Sequence, residues 1–260
     1  MLIDTHAHLY VRQFDKDRDA VVARAKNALA AVVLPNIDEF TVEAMNRLAD
    51  EHPNFCFPAL GLHPCDVRKG FEAVLNRLEK KFSERQYVAV GETGLDYYHD
   101  KTHIAEQKKA LAVHLEWAKS ASLPVILHCR DSFEDVIAMV EAAQDGRLTG
   151  VFHCFTGTVR EGLRVADAGF YLGIGGVLTF PKSGLAETLS KLPPEQWVLE
   201  TDAPYLAPAP FRGKRNESAY LRYVAAAAAN ALVLSAEKIA EQTGKNALRL
   251  FPKVAAALGA

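Results

Sequence analysis

Of the side chains in this 260-residue chain whose types ligate divalent metals, seven stand out by position: His6, His8, His63, Glu92, His128, His153 and Asp202. Each lies on, or closes, a short apolar run rich in Val, Ile, Leu and Phe. His6 and His8 close the first run, His63 the third, His128 the fifth, His153 the sixth and Asp202 the eighth, while Glu92 lies on the fourth. Imidazole and carboxylate together suit Zn, Mn, Co or Fe, and a carboxylate-rich set also accepts Mg. Six of these groups (His6, His8, Glu92, His128, His153 and Asp202) are too many for one tetrahedral ion with an open catalytic position. Two ions sharing a carboxylate fit better, and Glu92, on a middle run, is the natural bridge. Paired ions activate water and stabilise the attacking and leaving oxygens of a phosphoryl displacement. Asp202 is the candidate to accept the water's proton, and Glu92 the candidate to fix the ion separation.

Local geometry supports the clustering. Side chains alternate across a strand, so His6 and His8 point to one face and Ala7 to the other. By the same alternation Cys129 and Cys154 turn away if His128 and His153 turn in, and act as small apolar groups. His52, His99, His103 and His114 fall on helices or loops without partners and read as structural.

The elements that must position these residues follow from periodicity. Eight apolar runs (2–8, 30–37, 55–63, 87–96, 124–130, 150–155, 170–176 and 197–202) alternate with helix-period segments near 17–29, 39–51, 67–83, 103–121, 132–144, 158–168 and 184–191. A helix at 218–234 and a pair near 236–243 and 245–251 complete the chain. Near-continuous apolar strands between helices imply a parallel sheet covered on the outside. Eight repeats imply an α/β (β/α)8 TIM barrel with its metal site at the C-terminal ends of the strands, a doubly wound sheet being the weaker alternative. No linker interrupts the series, so residues 1–260 read as a single domain.

Composition narrows the function. Hydrophobic residues make up 49% and charged residues 24% of the chain, which excludes a disordered, collagenous or coiled-coil protein. Thirty Lys and Arg against 32 Asp and Glu leave a net charge of −2, unlike a long-duplex binder that must neutralise many phosphates. The four cysteines form no C-x-x-C pair, and strand pattern begins at Leu2, where a targeting segment would otherwise lie. No apolar run approaches the roughly 20 residues of a membrane span. A cytoplasmic location is expected, and no heptad or long apolar stripe calls for an obligate protein partner.

The segments IDTHAHL (3–9), GLHP (61–64), VGETGLDYY (90–98), PVILHCRD (124–131), FHCFTG (152–157) and ETDAPYL (200–206) together resemble the TatD-type metal-dependent DNases of the amidohydrolase-like superfamily. That resemblance implies a TIM barrel and DNA hydrolysis, including exonuclease action on single strands. It also implies one ion held by His6, His8, Glu92 and Asp202, a second held by Glu92, His128 and His153, and His63 near the substrate phosphate. Two departures stand out. Ala7 replaces a cysteine common in the first motif, and Ser218 replaces a proline after Arg215-Asn216-Glu217.

The expected function is therefore a divalent-metal-dependent deoxyribonuclease, using two ions (Mg, Mn or Zn) and acting on DNA ends or single strands. Arg212, Lys214 and Arg215 follow the eighth strand and could grip phosphate oxygens. Tyr97, Tyr98, Phe155, Tyr205 and Phe211 sit on rim segments where bases could stack. Two alternatives stand beside this reading. One is a hydrolase of a small cyclic amide, lactone or ester, disfavoured because the fourth strand offers Glu92 and no lysine to be carboxylated. The other is a non-catalytic metal-binding barrel, which would be expected to have lost a ligand.

Overall fold

The computed structural model describes residues 1–99 and 101–260. Among the described residues eight short strands follow one another: β1 (Ile3–Asp4), β2 (Ala31–Pro35), β3 (Cys56–Ala59), β4 (Val90–Asp96), β5 (Val125–Arg130), β6 (Gly150–Phe152), β7 (Tyr171–Ile174) and β8 (Trp197–Leu199). Every strand pair is parallel, within a group β1-β2-β3 and a group β4-β5-β6-β7-β8. Single bridges join the two groups at both edges. Leu60 pairs with Val90, and the Leu60 amide donates to the Ala89 carbonyl at 3.2 Å. At the other junction Ala7 pairs with Ala203, and the Thr5 amide donates to the Leu199 carbonyl at 3.1 Å. The architecture is a parallel α/β barrel of the TIM type, as the eight-run pattern implies.

The helices fill the connections: α1 (Arg18–Ala28), α2 (Val42–Glu51), α3 (Phe71–Glu84), α4 (Ile104–Ala121), α5 (Phe133–Ala143), α6 (Val159–Asp167), α7 (Leu185–Leu189), α8 (Leu221–Leu232), α9 (Ala236–Leu250) and α10 (Pro252–Leu258). Three differ from the sequence reading. The expected break at Gly244 is absent and α9 is continuous, because that glycine serves a close approach: a Cβ there would lie 2.5 Å from the Met1 carbonyl oxygen. The 218–234 segment opens with a 3-10 turn at Ser218–Tyr220 before α8 begins. Pro252, whose missing amide is tolerated at a first helical position, starts the additional helix α10.

Two cores divide the interior. Residues such as Val32, Leu34, Leu127, Phe152, Leu172 and Leu199 face outward and pack into the helical layer. Their strand neighbours Ala31, Val33, Ile126, Val151 and Val198 turn inward, where Phe251 and Val254 from the C-terminal segment join them. The C-terminal helices thus plug the N-terminal end of the barrel. The opposite end is left to polar groups. No single helix among the described residues is long and apolar enough to cross a membrane; α8 and α9 pass such a test only as a pair bent by 110°.

Candidate metal centre

Strand pairing ends earlier than the apolar runs suggest. Glu92 and His128 lie within β4 and β5, whereas His6, His8, His153 and Asp202 follow the last paired residues of β1, β6 and β8. Two of these departures have a visible cause. Cys154 (φ +50°) and Asp202 (φ +56°) adopt left-handed backbone, which turns the chain off the strand direction at the mouth. Such conformations are disfavoured by about 1–3 kcal/mol in non-glycine residues and concentrate where surrounding structure enforces them for function.

Enforcement here comes from buried hydrogen bonds. The Asp4 carboxylate accepts from the Thr201 amide (2.9 Å), the Thr201 hydroxyl (2.6 Å) and the His6 amide (3.3 Å), tying β1 to the Asp202 loop. The Asp202 amide donates to the His6 carbonyl at 2.9 Å. On the far side, Asn36 at the end of β2 accepts from the Gly61 amide (2.7 Å), and the Glu92 amide donates to the Asn36 carbonyl (3.2 Å). Gly94 lets β4 lie close to β5, since a Cβ there would sit 2.0 Å from the His128 carbonyl oxygen.

The structure brings six of the seven sequence-chosen side chains to the edge of one cavity, and the seventh, His6, is fully buried behind them against Glu92. Glu92 is 2% exposed and stands between two groups of imidazoles. Its Oε2 faces His6 Nε2 at 3.2 Å and His8 Nε2 at 3.5 Å; these two nitrogens are 3.1 Å apart and lie 3.7 and 3.5 Å from Asp202 Oδ1. Its Oε1 faces His153 Nε2 at 2.9 Å, His128 Nδ1 at 3.0 Å and His63 Nε2 at 3.3 Å. Ligand atoms about 2.0–2.2 Å from a common ion lie roughly 3 to 3.5 Å from one another. The donor set therefore fits divalent cations on both sides of Glu92. Ala7, between the two histidines, packs into the outer core, so the missing cysteine leaves the cavity untouched. Ser218 is fully buried at the start of its 3-10 turn.

Electrostatics agree with a cation site. Burial works against ionisation of Glu92, yet the imidazoles of His153, His63 and His6 hold its carboxyl well below the usual range. Burial likewise opposes charge on His153, but Glu92 and Glu200 raise it well above an ordinary histidine. Burial of Asp202 is outweighed by His8, His6 and His153, which keep it ionised. Protons shared among these groups are what a divalent ion would displace.

Other sequence expectations are placed differently. Arg215 forms a two-pronged pair with Asp17 (2.6 and 2.8 Å), donates to the Gln13 carbonyl and stacks on Phe14 at 4.6 Å, so its guanidinium is committed to the fold. Arg212 lies over the Phe180 ring at 4.1 Å. Phe211 stacks on Tyr220 at 4.1 Å, Phe155 is buried, and the Tyr97 hydroxyl donates to Asp135 at 2.6 Å. Tyr205, 45% exposed, lines the cavity beside His8, and Tyr98, 61% exposed, carries Arg130 on its face at 4.7 Å. Cys129 and Cys154 are free, with burial pushing their thiols up to about 11 and about 12.

Among the histidines set aside, His114 is structural: its Nε2 accepts from the Leu62 amide (3.0 Å) and its Nδ1 donates to the Ala110 carbonyl (2.7 Å). His99 is not partnerless, since its Nδ1 lies 2.9 Å from Asp96 Oδ2. Sequence reasoning passed over Asp96, Glu200 and Asp4. Each sits inside a quoted motif, and each is a carboxylate two or four residues from a ligand; that is the signal they offered.

A parallel α/β barrel whose mouth gathers imidazoles and carboxylates around a buried glutamate defines the class of metal-dependent hydrolases. Residues 3–252 match the family model described as TatD related DNase, and the chain belongs to that family. It is 37% identical over 253 residues to the uncharacterized metal-dependent hydrolase YabD of Bacillus subtilis, covering 96% of this chain and 99% of that one. It is 32% identical over 257 residues to the 3'-5' ssDNA/RNA exonuclease TatD of Pantoea ananatis, again over 96% and 99% of the two chains. The crystal structure of YJJV, a TatD homologue from Escherichia coli, superposes with a TM-score of 0.90 at 31% identity, covering 96% and 98%. The protein is a metal-dependent hydrolase that uses divalent metal.

Proposed function

We propose that this chain is a deoxyribonuclease that removes nucleotides from the ends of single-stranded DNA, with two divalent ions held on either side of Glu92. The observation that carries this reading is the division of the Glu92 carboxylate, Oε2 toward His6 and His8 and Oε1 toward His153, His128 and His63. His6, His8, Glu92 and Asp202 would hold one ion and Glu92, His128 and His153 the other. Such ions lower the pKa of a bound water toward neutrality and polarise phosphoryl oxygens. Mg, Mn and Zn all suit these ligands.

The protein's own groups supply the rest. Asp202 is the more open of the two carboxylates, its side chain 14% exposed against 3% for Glu92, and its ionised form takes the water's proton. His63, half-buried at the cavity edge, would donate a hydrogen bond to a phosphate oxygen. Tyr205 offers a ring on which a terminal base stacks. Arg212 and Lys214 remain the basic groups for a neighbouring phosphate, a role Arg215 gives up to Asp17. The net charge of −2 suits a substrate gripped at a few phosphates and not along a duplex. The Pantoea ananatis relative's named activity on single-stranded DNA and RNA supports the class. Residues 1–260 act as one unit in this scheme, and the free thiols suit a reducing cytoplasm.

The test is parallel digestion of end-labelled single-stranded DNA, duplex DNA, RNA and a panel of lactones with Mg, Mn or Zn added. Single-stranded DNA shortens from an end fastest, chelation stops the reaction, and Asp202→Asn removes it while the fold persists. Turnover confined to lactones, or undiminished activity in Asp202→Asn, would overturn the reading.

A further inference from the structure

The two imidazole groups around Glu92 are backed by different chemistry. Behind His8, Nδ1 lies 3.1 Å from the Pro35 carbonyl, a neutral acceptor. His6 Nδ1 is buried and has no partner at all. Behind His128 and His153 stand carboxylates. His128 turns Nδ1 to Glu92 and Nε2 to Asp96 Oδ2 at 2.9 Å. His153 turns Nε2 to Glu92, and its buried Nδ1, which makes no hydrogen bond, has the Glu200 Oε1 charge 3.5 Å away.

Neither rear carboxylate is placed by accident of the surface. Asp96 is fully buried; its Oδ1 accepts from the amides of Tyr98 (2.9 Å) and His99 (2.8 Å), and Gln107 clamps its backbone by accepting from the Asp96 amide at 2.9 Å. Glu200 is fully buried, and its Oε1 accepts from the Cys154 amide at 2.6 Å while Oε2 has no partner. Strand β7 makes room for it, since a Cβ on Gly173 would lie 2.2 Å from Glu200 Oε2.

We infer that Asp96 and Glu200 are positioning residues that set the affinity of the His128–His153 side of the centre, leaving the His6–His8 side to Asp202. The inference rests on the two-ion reading above. The charge count gives the reason. The His6–His8 side has two carboxylates in close reach, Glu92 and Asp202, whereas among the described residues the carboxylate close in front of both His128 and His153 is the shared Glu92, with Asp202 within 4.8 Å of His153. A carboxylate behind each imidazole fixes the ring, keeps the proton on the rear nitrogen and strengthens the front nitrogen as a donor. It also brings negative charge to the poorer side without occupying a coordination position.

The two rear groups should differ in weight. In Asp96→Asn the oxygen kept by the Tyr98 and His99 amides leaves an NH2 facing His128 Nε2, two donors that cannot pair, so the ring is driven toward the tautomer whose Nδ1 is blocked. In Glu200→Gln the oxygen held by the Cys154 amide still faces His153, and only the charge is lost.

The experiment is titration of the purified full-length protein with Mn2+, following free ion by electron paramagnetic resonance, with thermal melting of each variant in parallel. The wild type is expected to take up two ions. Asp96→Asn weakens one of the two sites about 10–100-fold and leaves the other constant unmoved, and Glu200→Gln does the same to a smaller degree. Unaltered melting of the metal-free variants separates this from misfolding. Two unchanged sites in Asp96→Asn overturn the inference alone, as does equal weakening of both sites. A wild type that takes up fewer than two ions overturns the two-ion reading and this inference with it.

Discussion

The two ends of the barrel interior are built from the same strands and do opposite things. On β5, Ile126 belongs to the dry inner core while His128, the next residue on that face, faces Glu92. The same step separates Val151 from His153 and Val198 from Glu200. Two residues of strand, roughly 7 Å, convert an apolar layer plugged by Phe251 and Val254 into a charged cavity. The division teaches that fold stability resides in the lower layer and chemistry in the upper. Substitutions at one end should leave the other's property in place.

The strongest way to break that comparison is at Glu92. Glu92→Gln removes the charge shared by both sides and should lower turnover at least about a thousandfold, about 4 kcal/mol in barrier, with the circular dichroism spectrum retained. At the opposite end, Phe251→Ala should lower unfolding free energy by about 3–5 kcal/mol in urea melts while kcat of the surviving folded protein stays within twofold. A collapse of activity in Phe251→Ala at temperatures where it remains folded would break the separation.

Proton linkage sharpens it further. Buried His114 is held down to about 4, so the unfolded chain takes up a proton that the folded one refuses between the ordinary histidine value and pH 4. Stability should therefore fall as pH drops from about 6.5 to 4, by about 3 kcal/mol from this group, and the slope should flatten in His114→Gln. Rim histidine His153 has the reverse sign. Its proton is held above the ordinary range by Glu92 and Glu200 despite burial, so metal uptake must displace it. Apparent metal affinity should rise with pH and continue to rise above pH 6.5, measured by titration at fixed ionic strength. The smallest effect is expected at Arg215, whose exposed pair with Asp17 should be worth under about 1 kcal/mol on replacement by Ala, without loss of turnover.

Much of this was legible in the linear chain because it depends on period and residue type. Eight apolar runs between helical segments specify a parallel barrel, and the recurrence of His, Glu and Asp at the ends of those runs specifies a metal centre. The alternation argument also placed Ala7 away from His6 and His8, where it packs in the outer core. Helix continuity through Gly244 was not legible, since a glycine reads as a break unless the Met1 backbone that crosses it is known. The same applies to Arg215, whose partner lies 198 residues away in sequence.

The sequence by itself determined which residues could ligate and that one rim would hold them, for strand periodicity is a local property. Only the tertiary structure decided how they divide. The two oxygens of Glu92 face different imidazoles, and the groups behind those imidazoles (Pro35 carbonyl on one side, Asp96 and Glu200 on the other) come from separate strands and loops. Those distances of about 3 Å arise from closure of the ring, which no local pattern encodes.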